Sequence, residues 1–376
     1  NPGKIVRPYK SNDRSLMRYK SGYQANNINT HYDWSNWGQF SDAVEMCNNN
    51  GACRKLDSGV MCPSYRVTKE EKDLVRGRAN TLRLALSNQL PEGSFASKDM
   101  YETMELCVSC KACQRECPMS VDMAKMKSEF LSHFYKKFSM PIKDKVISNM
   151  PRLIWLLKII APIFNKVKNL PLISTIVNKF GFATERKMPE VQSQDALKEI
   201  YNSQPVSENK VILFADTFNI NFENKNLIYS IKVLNKFGYQ AIIPSYGKDN
   251  LSRPLCCGRT YISYGQLDKA ASELNRFNDY IIENNYYDLP VVGIEPSCLL
   301  TFNDEYLSLK NINNREKIKN NFYLLEEFIL DQLKINKNIK VNDFDQNVLI
   351  HGHCHQKSQD RMNGLKNLLS ELKINN

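Results

Sequence analysis

The spacing of hydrophobic positions changes about halfway along the chain. Residues 1–40 are polar and aromatic, with His31, Trp34 and Trp37 and little periodicity. They read as a connector wrapping the surface. Beyond them, apolar residues recur at helical spacing. A short helix over 41–46 leads into Cys47. Thr68-Lys69-Glu70-Glu71 has the form of a capping box and predicts a helix to about Leu90, ended by Pro91 and Gly93. Leu74, Leu82, Ala85 and Leu86 share its apolar face. A second helix is expected over 97–106. A third, capped by Ser120, runs through Phe134 and Phe138. Past a linker at 188–209 the pattern switches. Short apolar runs at 211–216, 240–243, 291–294 and 348–350 read as strands, and helices are expected over 227–237, 266–283 and 315–333. Such alternation predicts an α/β domain with a mainly parallel sheet.

The chain has 376 residues, room for two or three domains. It begins at Asn1 without Met and ends at Asn376, and reads as a piece of a longer protein. No stretch reaches the ~20 apolar residues of a spanning helix; the nearest, 153–164, is interrupted by Lys158 and Pro162. The net charge is +11, and residues 125–187 carry 13 basic against 3 acidic side chains. This basic, apolar-rich segment fits either an anionic membrane surface or a solvated face around a packing stripe, and the second reading is slightly favoured. No G-x-G-x-x-G or P-loop occurs, so no nucleotide site of those kinds is expected.

Eleven cysteines change the picture. Without a signal peptide, their clustering favours reduced, metal-binding thiols over a disulfide scaffold. Cys107, Cys110, Cys113, Cys117 and Pro118 form C-x2-C-x2-C-x3-C-P, the ligand run of bacterial [4Fe–4S] ferredoxins. Three thiolates at three-residue steps can wrap three corners of one cubane. Proline turns the fourth cysteine away toward a second cluster. A damaged copy precedes this run: Cys47 and Cys53, with Asn50 where a middle cysteine would stand, then Cys62-Pro63. Cross-ligation then assigns Cys62, Cys107, Cys110 and Cys113 to one complete site. Cys47, Cys53 and Cys117 make a second site one ligand short. Three outcomes stay open for it: a [3Fe–4S] cluster, a [4Fe–4S] cluster completed by a residue such as Asn50, or no cluster. The helices around both runs predict a helical, two-motif ferredoxin-like domain.

The remaining chemistry follows predicted strands, where parallel sheets place their sites. Cys256-Cys257-Gly258, Cys298 and the run His351-Gly352-His353-Cys354-His355 all stand there. Cys256, Cys257, Cys298, Cys354 and His355 are therefore candidate metal ligands at one mouth of the sheet, a redox or electron-acceptor site. Small packable residues at strand ends are the plainer alternative.

The Cys-Cys-Gly element with a later cysteine resembles the CCG domain of heterodisulfide reductase and of iron–sulfur subunits of glycolate and glycerol-3-phosphate dehydrogenases. Residues 48–55, Met61-Cys62-Pro63-Ser64-Tyr65 and His353-Cys354-His355-Gln356-Lys357 are similar to fused FAD-linked D-2-hydroxyacid dehydrogenases of the D-lactate or D-2-hydroxyglutarate type. Residues 1–6 resemble the end of a flavin-linked oxidase domain. The resemblance implies five regions: the flavin-domain tail and connector (1–40), a helical [4Fe–4S] domain (41–140), a basic amphipathic segment (141–187), a linker (188–209) and a CCG-type α/β domain incomplete at its end (210–376). It implies FAD and the hydroxy-acid site in an upstream half. The expected function is electron transfer from that flavin domain, the expected partner within one full-length chain, to an acceptor such as a quinone or cytochrome. The expected location is cytoplasmic or peripheral on the inner face of a membrane. The alternatives are a separate iron–sulfur subunit of a glycolate- or glycerol-3-phosphate-type dehydrogenase and, further off, a zinc-stabilised nucleic-acid binder. The basic segment shows no nucleic-acid motif.

Overall fold

The computed structural model describes residues 19, 22–57, 59–157, 160–168, 170–183, 185–244, 253–318, 321–336 and 347–374. The flavin-domain tail expected at residues 1–6 lies outside them.

The first half is helical. Helices α1 (Phe40–Glu45), α2 (Pro63–Thr68), α3 (Val75–Leu86), α4 (Lys98–Glu105), α5 (Ala112–Glu116) and α6 (Met123–Lys137) surround the cysteine runs. Ser97 caps α4 as its hydroxyl accepts from the Met100 N–H. Four shorter helices follow: α7 (Ile142–Ser148), α8 (Met150–Leu157), α9 (Ala161–Val167) and α10 (Pro171–Lys179). Then come α11 (Asp195–Asn202), β1 (Lys210–Phe214), α12 (Thr217–Phe222), α13 (Asn224–Lys236), β2 (Gln240–Ile242), α14 (Arg259–Ser263) and α15 (Leu267–Glu283). The chain continues through β3 (Val291–Gly293), α16 (Pro296–Phe302), α17 (Glu305–Ser308), α18 (Arg315–Ile318), β4 (Phe322–Leu324), α19 (Leu325–Ile335), α20 (Cys354–Ser358) and α21 (Met362–Glu371).

The strands form one sheet in the order β2-β1-β3-β4, every pair parallel. A helical part followed by an α/β part with a parallel sheet is the fold class expected from the sequence. Alternate side chains supply two faces. Val211, Leu213 and Val292 pack with α13, α19 and α21. Ile212, Phe214, Val291 and Phe322 face the other way into a core continuous with that of the helical half. There Phe302 stacks on Phe322 with ring centroids 4.6 Å apart. Gly265 marks the closeness of the halves: it has φ +68°, and a Cβ there would lie 2.5 Å from the Ser132 nitrogen on α6.

Five expectations need correction. The segment before α1 is not a surface wrap. Tyr32 and Trp34 are buried, and Tyr32 bridges to Leu309. The fully buried carboxylate of Glu129 on α6 accepts from the His31 and Tyr32 N–H groups at 2.9 and 3.1 Å. Thr68 does not open a long helix. Its hydroxyl turns to Asp73 at 2.7 Å, Lys69 adopts a left-handed conformation and extended Leu74 starts α3 afresh. Ser120 has positive φ, and Asp122 caps α6 instead. The helix expected over 315–333 is split by β4, because Phe322 and Leu324 reach the core. Residues 348–350 are irregular, with Leu349 fully exposed. The sheet's fourth strand is thus β4.

Candidate metal centre

Cys62, Cys107, Cys110 and Cys113 line one cavity, together with Pro63, Val75 and Arg78. It encloses about 320 Å³ of space, part of it open solvent. The chain reaches this geometry through left-handed backbone at Cys62, Ser109 and Lys111. These kinks turn the loop inward on itself. Three helices then begin at the sulfurs. The Val75 N–H of α3 donates to Cys62, the Ala112 N–H of α5 to Cys110, and the Met123 N–H of α6 to Cys113. Helix N-termini carry partial positive charge and unpaired N–H groups, the environment a thiolate needs. Burial still dominates. It pushes the Cys62 thiol up to about 12, the Cys110 thiol up to about 11, and that of Cys113 well above its ordinary value. Ionisation here thus needs a cation in the cavity, and soft thiolate donors suit iron in an iron–sulfur cluster. Among the described residues, no three such side chains close round one point as ligands of a single ion would.

The second cysteine set stands beside the first. Cys47 and Cys53 are buried neighbours. The Arg76 N–H of α3 donates to Cys53, so the start of α3 serves both sets. Cys117 follows α5, which packs on the turn carrying Cys53. Asn50 is exposed, and its amide is engaged within its own loop by Asn48 and by the Ala52 N–H.

On the α/β side, strand order reverses around β1, and the crevice beyond the carboxyl ends is the expected site. Cys256, Cys257 and Cys298 line a cavity there with Asp216 and Arg259. The three thiols form a hydrogen-bonded chain in sequence order. The Cys256 thiol is pushed well up by its bond to Cys257 and then by burial. Gly258, at φ +77°, and Arg259 donate their N–H groups to Cys256 and Cys257 at 3.3 and 3.4 Å. Cys354 and His355 are on α20, which packs against α16, the helix that carries Cys298. They face the ferredoxin-type loop, however. A ring nitrogen of His355 is 3.2 Å from the Ser109 carbonyl, and Cys354 acts electrostatically on Cys110. Burial lowers the His355 pKa to about 3, so the ring is neutral near pH 7. His353 stands 3.7 Å from Glu295.

The ionic link between the two cavities is not apparent in sequence. Lys111, inside the cysteine run, is fully buried and pairs with Asp304 and, at 2.9 Å, with Glu305. Glu305 takes Arg259 in a two-pronged pair at 2.6 and 2.7 Å. Arg259 follows Cys-Cys-Gly and also donates to the Ser297 carbonyl beside Cys298. Lys125 pairs with Asp304 at 2.6 Å. Burial alone would lower the Lys111 pKa, but its carboxylate neighbours outweigh this and raise it, and Glu305 is held low by Arg259 and Lys111 against its own burial. The signal available in sequence is a lysine inside a metal-binding run and an acidic pair just after Cys298.

A second buried charge anchors the strand of chain that leads to Cys256. Glu273 accepts from Arg253 at 2.6 and 2.8 Å, from Arg276 at 2.8 Å and from Arg152 at 3.0 Å. Burial would raise its pKa, but Arg253 and Arg276 outweigh this and lower it. A depressed carboxyl contributes stability that is present above its unfolded value and lost as pH falls through its folded one. Glu273→Gln should cost about 2 kcal/mol at pH 7, less than a wholly buried pair because the arginines are partly exposed. Urea titrations should show the gap from wild type closing as pH drops below about 4. A gap independent of pH would contradict this.

Comparison with known proteins agrees with this geometry. Residues 43–121 match the 4Fe-4S dicluster domain family. The chain is similar to D-2-hydroxyglutarate dehydrogenase of Pantoea ananatis, 24% identical over 81% of the chain and 34% of that protein. The Pseudomonas putida and Escherichia coli proteins of the same name are 24% and 22% identical over 89% and 94% of the chain, and 36% and 38% of their own lengths. The chain thus spans about a third of the curated relatives it matches. No solved structure matches it. The resemblance to a D-2-hydroxyacid dehydrogenase with a 4Fe-4S domain stands on these matches.

Proposed function

We propose that this chain is the electron-transfer part of a D-2-hydroxyacid dehydrogenase, with one [4Fe–4S] cluster held by Cys62, Cys107, Cys110 and Cys113. The observation that carries the reading is the convergence of those cysteines on one cavity, with three helix N-termini at their sulfurs. When bound, the cluster supplies one-electron chemistry. The chain's own groups do the rest. The N–H donors of Val75, Ala112 and Met123 stabilise negative sulfur, which favours the more negative state of a centre held there. Lys127 lies near Cys107 and donates to its carbonyl at 2.5 Å. The Lys111–Glu305–Arg259 link fixes the spacing between this cavity and the Cys256, Cys257 and Cys298 cavity, where the next redox step is assigned. In this reading FAD and the hydroxy acid bind residues outside this chain, and a quinone or cytochrome takes the electrons.

The test uses the full-length protein under anaerobic conditions. Adding D-2-hydroxyglutarate or D-lactate should bleach the broad thiolate–iron absorbance near ~400 nm and produce a paramagnetic signal of a reduced cluster. Substrate that reduces a flavin while the iron–sulfur signals stay unchanged would refute electron transfer through these cysteines.

A further inference from the structure

Helices α9 and α10 leave their apolar side chains uncovered, and neither buries a residue. Ile163 and Leu172 are 66% and 71% exposed, and Ile176 and Phe180 are exposed as well. Leu172, Ile176 and Phe180 follow one another at four-residue steps on a single stripe of α10 and its end. Of the 21 large hydrophobic residues exposed among the described residues, nine fall between Ile142 and Phe180. Apolar exposure this concentrated marks a contact surface.

The charges around it choose the occupant. From Lys145 to Thr184 there is no acidic residue. Arg152 and Lys168 pair with Glu273 and Glu190. Lys145, Lys166 and Lys179 are exposed. A second copy meeting this face by two-fold symmetry would set lysine against lysine. An anionic bilayer satisfies both features: apolar side chains enter the acyl boundary while lysines meet headgroup phosphates. No helix among the described residues is long and apolar enough to cross a membrane, so contact is in the plane.

We infer that α9 and α10 dock this chain peripherally on an anionic lipid surface, independently of which substrate it serves. Vesicle flotation of the full-length protein tests this. It should float with phosphatidylglycerol–phosphatidylcholine vesicles, not with phosphatidylcholine alone, and high salt should release it. Lys166→Gln/Lys179→Gln should weaken binding roughly 25-fold, at about fivefold per lysine. Leu172→Ser/Ile176→Ser should abolish it. All four side chains are exposed, so circular dichroism and iron content should match wild type. Absence of flotation with anionic vesicles, or flotation untouched by both double variants, overturns the inference. So does a loss of self-association or of contact with the rest of the polypeptide in the leucine–isoleucine variant without any lipid binding by wild type; that result assigns the face to protein.

Discussion

Replacing Cys113 by serine is expected to remove the main cluster. Anaerobically reconstituted protein should lose most of its acid-labile sulfide and its absorbance near ~400 nm. Cys113 is buried near the start of α5, and the Met123 N–H at the start of α6 donates to it. A serine hydroxyl is a harder, less acidic donor and would leave one iron corner poorly held. Cys47→Ser provides the contrast. If the second set binds iron, wild type should carry more iron than one cluster accounts for, and this substitution should remove only the excess. The inverse pattern, Cys113→Ser keeping full iron while Cys47→Ser loses it, would overturn the assignment of Cys62, Cys107, Cys110 and Cys113. Iron and sulfide analysis on the two variants and wild type decides it.

Glu305→Ala is expected to be the most destabilising single change away from the cysteines. It leaves buried Arg259 without its carboxylate, while Lys111 keeps Asp304. Breaking a buried pair from one side costs about 3–5 kcal/mol because a charge stays behind unpaired. The cost should appear as a lower urea midpoint with an unchanged slope. The double variant Glu305→Ala/Arg259→Leu should recover part of the loss, since it removes one stranded charge along with its partner. Since Lys111 sits between Cys110 and Cys113, the single variant should also release iron more readily to a chelator. Wild-type stability in Glu305→Ala would mean that the link is not buried in solution.

How much of this was legible in sequence follows from how local each signal is. The Cys107–Pro118 run was legible because its spacing is itself the geometry of the site. The parallel sheet was legible from the alternation of apolar runs with helices. Strand β4 was not, because a three-residue strand between α18 and α19 is too short to break a helical period. Leu349 shows the converse error: an apolar triplet reads as a strand, but only burial makes it one. The break at Lys69–Leu74 depends on Gly77, where a Cβ would stand 2.0 Å from the Glu71 carbonyl oxygen. That approach joins residues six apart and is invisible to a capping-box pattern. The same applies to Glu129 and Glu305. A buried carboxylate is recognisable only once its donors are known, and here they lie 98 residues upstream at His31 and 194 upstream at Lys111.

These separations also set a clock. Lys111 and its partner Asp304 are 193 residues apart. At ribosomal rates of 5–20 residues per second, roughly 10–40 s pass between their appearances. Throughout that interval Cys62, Cys107, Cys110 and Cys113 are already made, while the residues that bury Lys111 are not. The helices that aim their N-termini at the sulfurs, α3, α5 and α6, are all complete by Lys137. The order of synthesis therefore completes the cysteine pocket before the α/β half closes over its loop. Growth in iron-poor or oxidising conditions should act on this nascent stage, leaving chains whose second half has closed on an empty first half.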